Sequence, residues 1–113
     1  MSDLQILLQN NGPLPRSATF KAPASGPATI YVSGSVWTQT AGSAIGIMVS
    51  IDGAEVGSAW VYANAAGTHI GVVPVFMPIT LPDSMGSHTV TISAINNATT
   101  TDVNDNFQVA LLL

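Results

Sequence analysis

The last nine residues, Asp105-Asn-Phe-Gln-Val-Ala-Leu-Leu-Leu113, restrict what this chain can fold into more than any other stretch. They alternate with period two. Phe107, Val109, Leu111 and Leu113 fall on one face of an extended strand, and Gln108, Ala110 and Leu112 on the other. Chain ends are ordinarily frayed and polar. A terminal strand this apolar must be stitched into a sheet and covered, which points to a compact all-β module and to burial between subunits.

The rest of the chain agrees. No segment carries a helical repeat, and turn residues recur at short intervals, as they do in all-β folds. Strands are expected over 3–9, with Leu4, Ile6 and Leu8 on one face, and over 17–21. The next, 29–37, sets Ile30, Val32 and Val36 inward against Tyr31, Ser33, Ser35 and Trp37. Strand 45–51 puts Ile45, Ile47, Val49 and Ile51 on one face. Asp52-Gly53 then marks a tight hairpin, because glycine supplies the positive φ that a primed turn requires, and 55–62 returns. The apolar stretch 68–81 contains Pro74 and Pro78, which cannot donate to a ladder, so it is bent, bulged or at an edge. A turn over 82–86 precedes strand 87–95, with Val90, Ile92 and Ala94 inward. A polar loop, 96–104, leads to the terminal strand. About eight strands in one domain covering residues 1–113 fit a two-sheet jelly roll or a Greek-key sandwich.

Composition narrows the function. Only 7% of the 113 residues are charged, against 47% hydrophobic. Soluble domains average about 25% charged residues. No run approaches the ~18–20 apolar residues of a spanning helix, so membrane insertion is not expected. Low charge is instead consistent with surface hidden in a homo-oligomer. The net charge is -4, and Arg16 and Lys21 are the only basic side chains. Nucleic acid, which needs clustered cations to neutralise phosphates, is therefore not an expected partner. Cysteine is absent, which removes disulfides and thiolate metal sites. The start, Met-Ser-Asp-Leu-Gln, has neither the basic nor the apolar region of a signal peptide. The expected location is cytoplasmic, particle-associated or reached by non-classical export.

Several residues in order resemble a known pattern. Phe20-Lys-Ala-Pro-Ala-Ser-Gly26 is followed by Ile30-Tyr-Val-Ser-Gly34. The hairpin Ile51-Asp-Gly-Ala-Glu-Val56 comes next. Ile79-Thr-Leu-Pro-Asp-Ser-Met-Gly86 then leads into His88-Thr-Val-Thr-Ile92, and Phe107-Gln-Val-Ala-Leu-Leu112 closes the chain. Over roughly residues 20–113 this order resembles the globular-head jelly rolls of complement and tumour-necrosis-factor type, including bacterial and phage relatives. The chain departs from that pattern at 68–81, where prolines break the expected aromatic strand, and it has no collagen-like stalk. The resemblance implies a homotrimer with the first and last strands near the threefold axis, and a recognition head rather than an enzyme.

The residues themselves give little support to catalysis. His69 and His88 are the only side chains whose ordinary pKa suits a neutral-pH base. No serine sits in a Gly-x-Ser-x-Gly elbow, and the carboxylates are scattered. Asp102, Asn104 and Asp105 form the one local cluster of hard oxygen ligands. They read either as a calcium site or as Asx residues capping a turn; one short loop supplies few of the ~6–8 ligands calcium takes. Trp60, Tyr62, Asn64 and His69 flank a single predicted turn. They read either as a sugar site, with rings for stacking and polar groups for hydroxyls, or as core filling on the face of Val56. Trp37, on the serine-rich face, is the preferred single aromatic for binding, and Asn96, which opens the polar loop 96–104, is a further candidate ligand-binding residue. The Asn97-Ala-Thr99 sequon predicts an exposed loop.

Two functions follow. The first is a non-enzymatic, lectin-like head that binds glycans or a surface protein; sugar is favoured because the surface is rich in hydroxyl and amide groups. The alternative is a structural or assembly component of a particle, such as a capsid-decoration or tail protein.

Overall fold

The computed structural model describes residues 4–81 and 86–113. Asp3, and the predicted turn apart from Gly86, lie outside the described residues. All described regular structure is β: β1 (Leu4–Asn11), β2 (Arg16–Lys21), β3 (Gly26–Val36), β4 (Ser43–Ile51), β5 (Ala54–Ala63), β6 (Ile70–Gly71), β7 (Val75–Leu81), β8 (Ser87–Ala94) and β9 (Asn106–Leu112). One sheet runs β1-β9-β3, with β7 and then β6 along the far side of β3; the other runs β2-β8-β4-β5. Every pairing is antiparallel. The chain changes sheets at most of its connections, so the first and last strands end up as neighbours. This is the two-sheet jelly roll expected from the sequence, with one strand split in two.

The terminal strand lies in the middle of its sheet, between β1 and β3. Phe107, Val109 and Leu111 point inward and are buried, together with Ile30, Val32, Val36, Ile45, Ile47, Val49, Val90 and Ile92 from both sheets. Each such side chain contributes roughly 1.5–3 kcal/mol by leaving water, which is why a chain with so few ion pairs holds together. Phe107 needs space from its neighbour on β3: a Cβ at Gly34 would lie 2.9 Å from both Asn106 O and Ile47 Cδ1 and would press on the Phe107 ring.

Three local features depart from simple alternation. In β1, Ile6 pairs with Ala110 and Leu8 with Val109, so one extra residue is inserted at Leu7. Leu7 and Leu8 are both buried, whereas Leu4 and Ile6 are 64% and 50% exposed. The predicted Leu4–Ile6–Leu8 core face is thus corrected: a β-bulge divides it, and only Leu8 faces the core. In β5 a second bulge, at Val56, uncouples Val56 from the residues that follow. Finally, the stretch over 68–81 breaks between β6 and β7. There Val72 N bonds Gly34 O within the first sheet, while Val73 N reaches Trp60 O on the edge of the second.

The Asp52-Gly53 hairpin forms as predicted, with Ile51 opposite Ala54 and positive φ at both turn residues (52° and 84°). Asp52 also braces the turn to β8. Its carboxylate lies 2.6 Å from His88 Nδ1 and accepts from Thr89 N at 2.8 Å. The His88 hydrogen bond, followed by that of Thr89, holds the carboxyl of Asp52 below the usual carboxylate range.

Candidate functional site

The residues predicted around one turn separate into two groups. Strand β5 is an edge strand and turns Ala59 and Ala63 into the core. Period two therefore turns Ser58, Trp60 and Tyr62 outward. Trp60 and Tyr62 are 52% and 53% exposed, so they do not fill core. The bulge at Val56 is the reason: it breaks the apparent face that Val56 shares with them. Their attachment points are ~7 Å apart along the strand. Trp60 stands opposite Gly46 and Tyr62 opposite Ala44, so small residues on β4 leave the rings uncrowded.

The break between β6 and β7 completes a groove. Val73 and Val75 approach the edge of β5 and, with Ser58, Trp60, Val61 and Tyr62, line a depression of about 340 Å³ without a charged residue. Two exposed aromatic side chains on one face of the strand, beside an apolar floor, suit the apolar faces of a sugar ring, and the Tyr62 hydroxyl and Ser58 suit its hydroxyls. Sequence reading identified the two aromatics but not Val73 and Val75; the available signal was Pro74, which forces the bend. Asn64 follows in the exposed turn and does not line the groove.

His69 belongs to the other group, organised by Asp105. This carboxylate is fully buried. Its Oδ1 accepts from Ser35 Oγ at 2.6 Å and lies 2.7 Å from His69 Nδ1; its Oδ2 accepts from Asp102 N at 2.8 Å. His69 Nε2 faces Asp102 Oδ2 at 3.6 Å. The hydrogen bond to Asp105 raises the pKa of His69 above its ordinary value, desolvation opposes it, and the charges of Asp105 and Asp102 add to the rise. Ser35 donates to Asp105, not to His69, so the three residues do not form a nucleophile–base relay.

One ligand atom from each of His69, Asp102 and Asp105 lies within 4.8 Å of the others. The structure thus brings together two of the three predicted metal ligands and adds a histidine. Asn104 contributes its backbone N–H to Asp102 Oδ1 at 2.9 Å, an Asx turn. Asp105 is already engaged by three donors, so the group presents few of the oxygens that calcium takes.

Trp37 is half-buried and does not form the free platform expected of it. Its backbone exchanges hydrogen bonds with Thr100 at 2.9 and 2.8 Å, and its ring stacks at a tilt on His69, 5.7 Å between centroids. Asn96 is committed to β4 and to its own turn: Nδ2 donates to Ala44 O at 2.8 Å, and Oδ1 accepts from Thr99 N and Thr99 Oγ1. The sequon residue Asn97 is exposed, as predicted.

No family model matches the chain, and no curated protein matches it in sequence. Its fold is shared with solved structures. A family 35 carbohydrate-binding module of Clostridium thermocellum is 12% identical with a TM-score of 0.55, over 98% of this chain and 92% of that one. A family 35 module from Cellvibrio japonicus Abf62 is 14% identical with a TM-score of 0.52, over 92% of this chain and 67% of that one. Dimeric latent PorU of Porphyromonas gingivalis is 12% identical with a TM-score of 0.66; the match covers 98% of this chain but only 12% of PorU. The chain is therefore a jelly roll of the kind that carbohydrate-binding modules use. The jelly roll is also the part of the resemblance to complement and tumour-necrosis-factor heads that the structure bears out.

Proposed function

We propose that this protein is a non-catalytic carbohydrate-binding jelly roll that holds a neutral glycan in the groove of Trp60 and Tyr62. One observation carries the reading: two neighbouring aromatic side chains, each about half exposed, line a charge-free groove on an edge strand. Exposed aromatics are costly to keep in water and suit an amphipathic ring. The shared fold of the two family 35 modules supports the same reading. The absence of charge in the groove favours neutral sugars over uronic acids or sialic acids.

The test is a panel of soluble neutral polysaccharides in affinity electrophoresis, followed by calorimetry on any binder. Trp60→Ala and Tyr62→Ala should each weaken binding at least ten-fold while leaving the thermal midpoint within a few degrees. Binding that survives both substitutions unchanged would sink the groove as the site.

Self-association is a second feature of the proposal, and a homotrimer is its expected form. Leu4, Ile6 and Phe76 are exposed on the outer face of the first sheet, beside the partly buried Leu112 and Tyr31. A protein that assembles through this face and binds no glycan would instead fit the structural component of a particle.

A further inference from the structure

We propose a second glycan site, an amide-lined cleft on the outer face of the first sheet; it rests on the carbohydrate-binding reading but not on the Trp60 groove. Gln9 on β1 stands opposite Gln108 on β9, and Gln108 stands opposite Ser33 on β3. The next pair on the same face is Asn11 opposite Asn106. Strands lie ~4.8 Å apart and same-face residues ~7 Å apart. The result is a small polar grid, four primary amides on β1 and β9 flanked by the Ser33 hydroxyl on β3, at a spacing close to one pyranose unit. With Asn10 and Phe107, these residues line a cleft of about 610 Å³, within the usual ~300–1,000 Å³ range of ligand sites.

The bulge at Leu7 makes the cleft. Without it, the alternation that turns Leu4 and Ile6 outward would turn Leu8 and Asn10 outward too. The extra residue sends Leu8 into the core and brings Gln9 and Asn11 onto the outer face. Bulges commonly re-aim side chains beside binding sites.

The chemistry selects the ligand class. A primary amide offers two donors and an acceptor, which matches a sugar hydroxyl that both gives and takes a hydrogen bond. No carboxylate lines the cleft to attract a cation, and no Lys or Arg lines it to attract an anion. Arg16 does not line the cleft; its guanidinium donates to Asn11 O at 2.9 Å and Gly12 O at 3.1 Å, which fixes the rim. Asn11 Nδ2 is tied to Val103 O and Asn10 Oδ1 to Asn11 N. Among the described residues, the side-chain amides of Gln9, Asn106 and Gln108 make no intramolecular hydrogen bond, so they are available. Two residues along the same face from Ser33 stands Tyr31, tilted against Phe76 with ring centroids 5.2 Å apart. Ala110, the corresponding step from Gln108, keeps the floor low. The cleft therefore offers free amides for sugar hydroxyls, and the Tyr31–Phe76 pair lies outside it.

The experiment is an NMR titration of the uniformly ¹⁵N-labelled full chain with cellohexaose, xylohexaose and mannohexaose. The side-chain NH₂ signals of Gln9, Asn106 and Gln108 report on the cleft, and the Trp60 indole N–H reports on the groove. At least one oligosaccharide should move the amide signals. That movement should persist in Trp60→Ala and weaken at least ten-fold in the double variant Gln9→Ala/Gln108→Ala. Both positions are at the surface, so the variant's spectrum should otherwise match the parent. Movement confined to Trp60 and its neighbours overturns the cleft and leaves the groove standing. Amide movement without Trp60 movement upholds the cleft and removes the groove. If none of the three sugars moves either set, both fail.

Discussion

His69 Nδ1 lies 2.7 Å from Asp105 Oδ1, which places a surface imidazole on a carboxylate with no exposure of its own. Asp105 is a junction. Its side chain gathers Ser35 from β3, His69 from the segment before β6 and the backbone of Asp102, and its carbonyl accepts from Gly12 N at 2.8 Å. Asp105→Ala leaves several of these donors without a partner, at about 1–3 kcal/mol for each one that stays buried. A loss of about 2–4 kcal/mol in urea unfolding is expected, since His69 can turn to solvent while Ser35 and Asp102 N are less free to. A loss below about 0.5 kcal/mol would contradict this role.

The same pair makes stability depend on pH. The folded-state pKa of His69 lies above its ordinary 6.5, first because of the hydrogen bond to Asp105 and then because both carboxylates favour the charged ring. A raised folded value means that the contribution is fully present below about 6.5 and is lost as pH rises through the folded pKa. The thermal midpoint of wild type should therefore exceed that of His69→Gln at pH 5.5–6, and the gap should close at higher pH. A gap that widens with rising pH would reverse the sign and exclude this linkage.

Calcium should have little effect on the protein. Asp105 is engaged by internal donors, and Asp102 Oδ1 holds Asn104 N. A ligand present at 100 times its Kd and bound only by the folded state adds about 2.7 kcal/mol, which shifts a midpoint by several degrees. Differential scanning fluorimetry in millimolar calcium and in EDTA should give the same midpoint. A rise of several degrees in calcium would restore the metal-site reading of Asp102, Asn104 and Asp105.

Gly46 is the base on which Trp60 stands. A Cβ there would lie 2.7 Å from both Trp60 Cα and Cβ, and closer still to the Ala59 carbonyl oxygen. The obstruction is largely backbone, which cannot swing away, so strands β4 and β5 would have to separate. Gly46→Ala should cost about 1–3 kcal/mol, as overpacking does, and should displace the Trp60 ring. Chemical denaturation gives the first quantity and Trp60 fluorescence the second; a neutral substitution would show that the edge strand yields.

The sheet composition was legible because burial on one face writes period two into the sequence. Ile45, Ile47 and Val49, or Phe107, Val109 and Leu111, announce their strands without help from context. The bulges were not legible. An extra residue at Leu7 or Val56 resembles ordinary alternation until the partner strand is known, yet these two residues decide which way Gln9, Asn11, Trp60 and Tyr62 point. Pairing between distant strands is also invisible locally, which is why the amide row stayed hidden: Gln9 and Gln108 are neighbours only through β1 and β9. His69 looked like part of the Trp60 group because it is near in sequence. The sheet order instead carries it to Asp105, whose Asx-rich surroundings had suggested a metal rather than a buried hydrogen-bond junction.

The outer face of the first sheet should mediate self-association. Leu4, Ile6 and Phe76 are exposed, and Ala110, Leu112 and Tyr31 lie between them on β9 and β3. None of these residues is charged, and the bulge at Leu7 leaves Leu4 and Ile6 on this face while Leu8 enters the core. Taking strands ~4.8 Å apart and residues ~3.3 Å along each, two same-face positions on each of four strands present a flat area on the order of 250 Å². That is no larger than the apolar patches tolerated on monomers and well below one partner's share of a standard interface, ~800 Å². Assembly through this face alone should therefore be concentration-dependent, with dissociation in the micromolar range or above. Light scattering coupled to gel filtration, run from 5 to roughly 500 μM, should show the mass rising toward that of three chains. Ile6→Lys or Phe76→Lys should hold the protein as a monomer at all of these concentrations. Both positions face solvent in the isolated chain, so neither variant should lower the thermal midpoint of the dilute protein by more than a few degrees. A wild type that stays monomeric throughout would remove the interface, and with it the trimer.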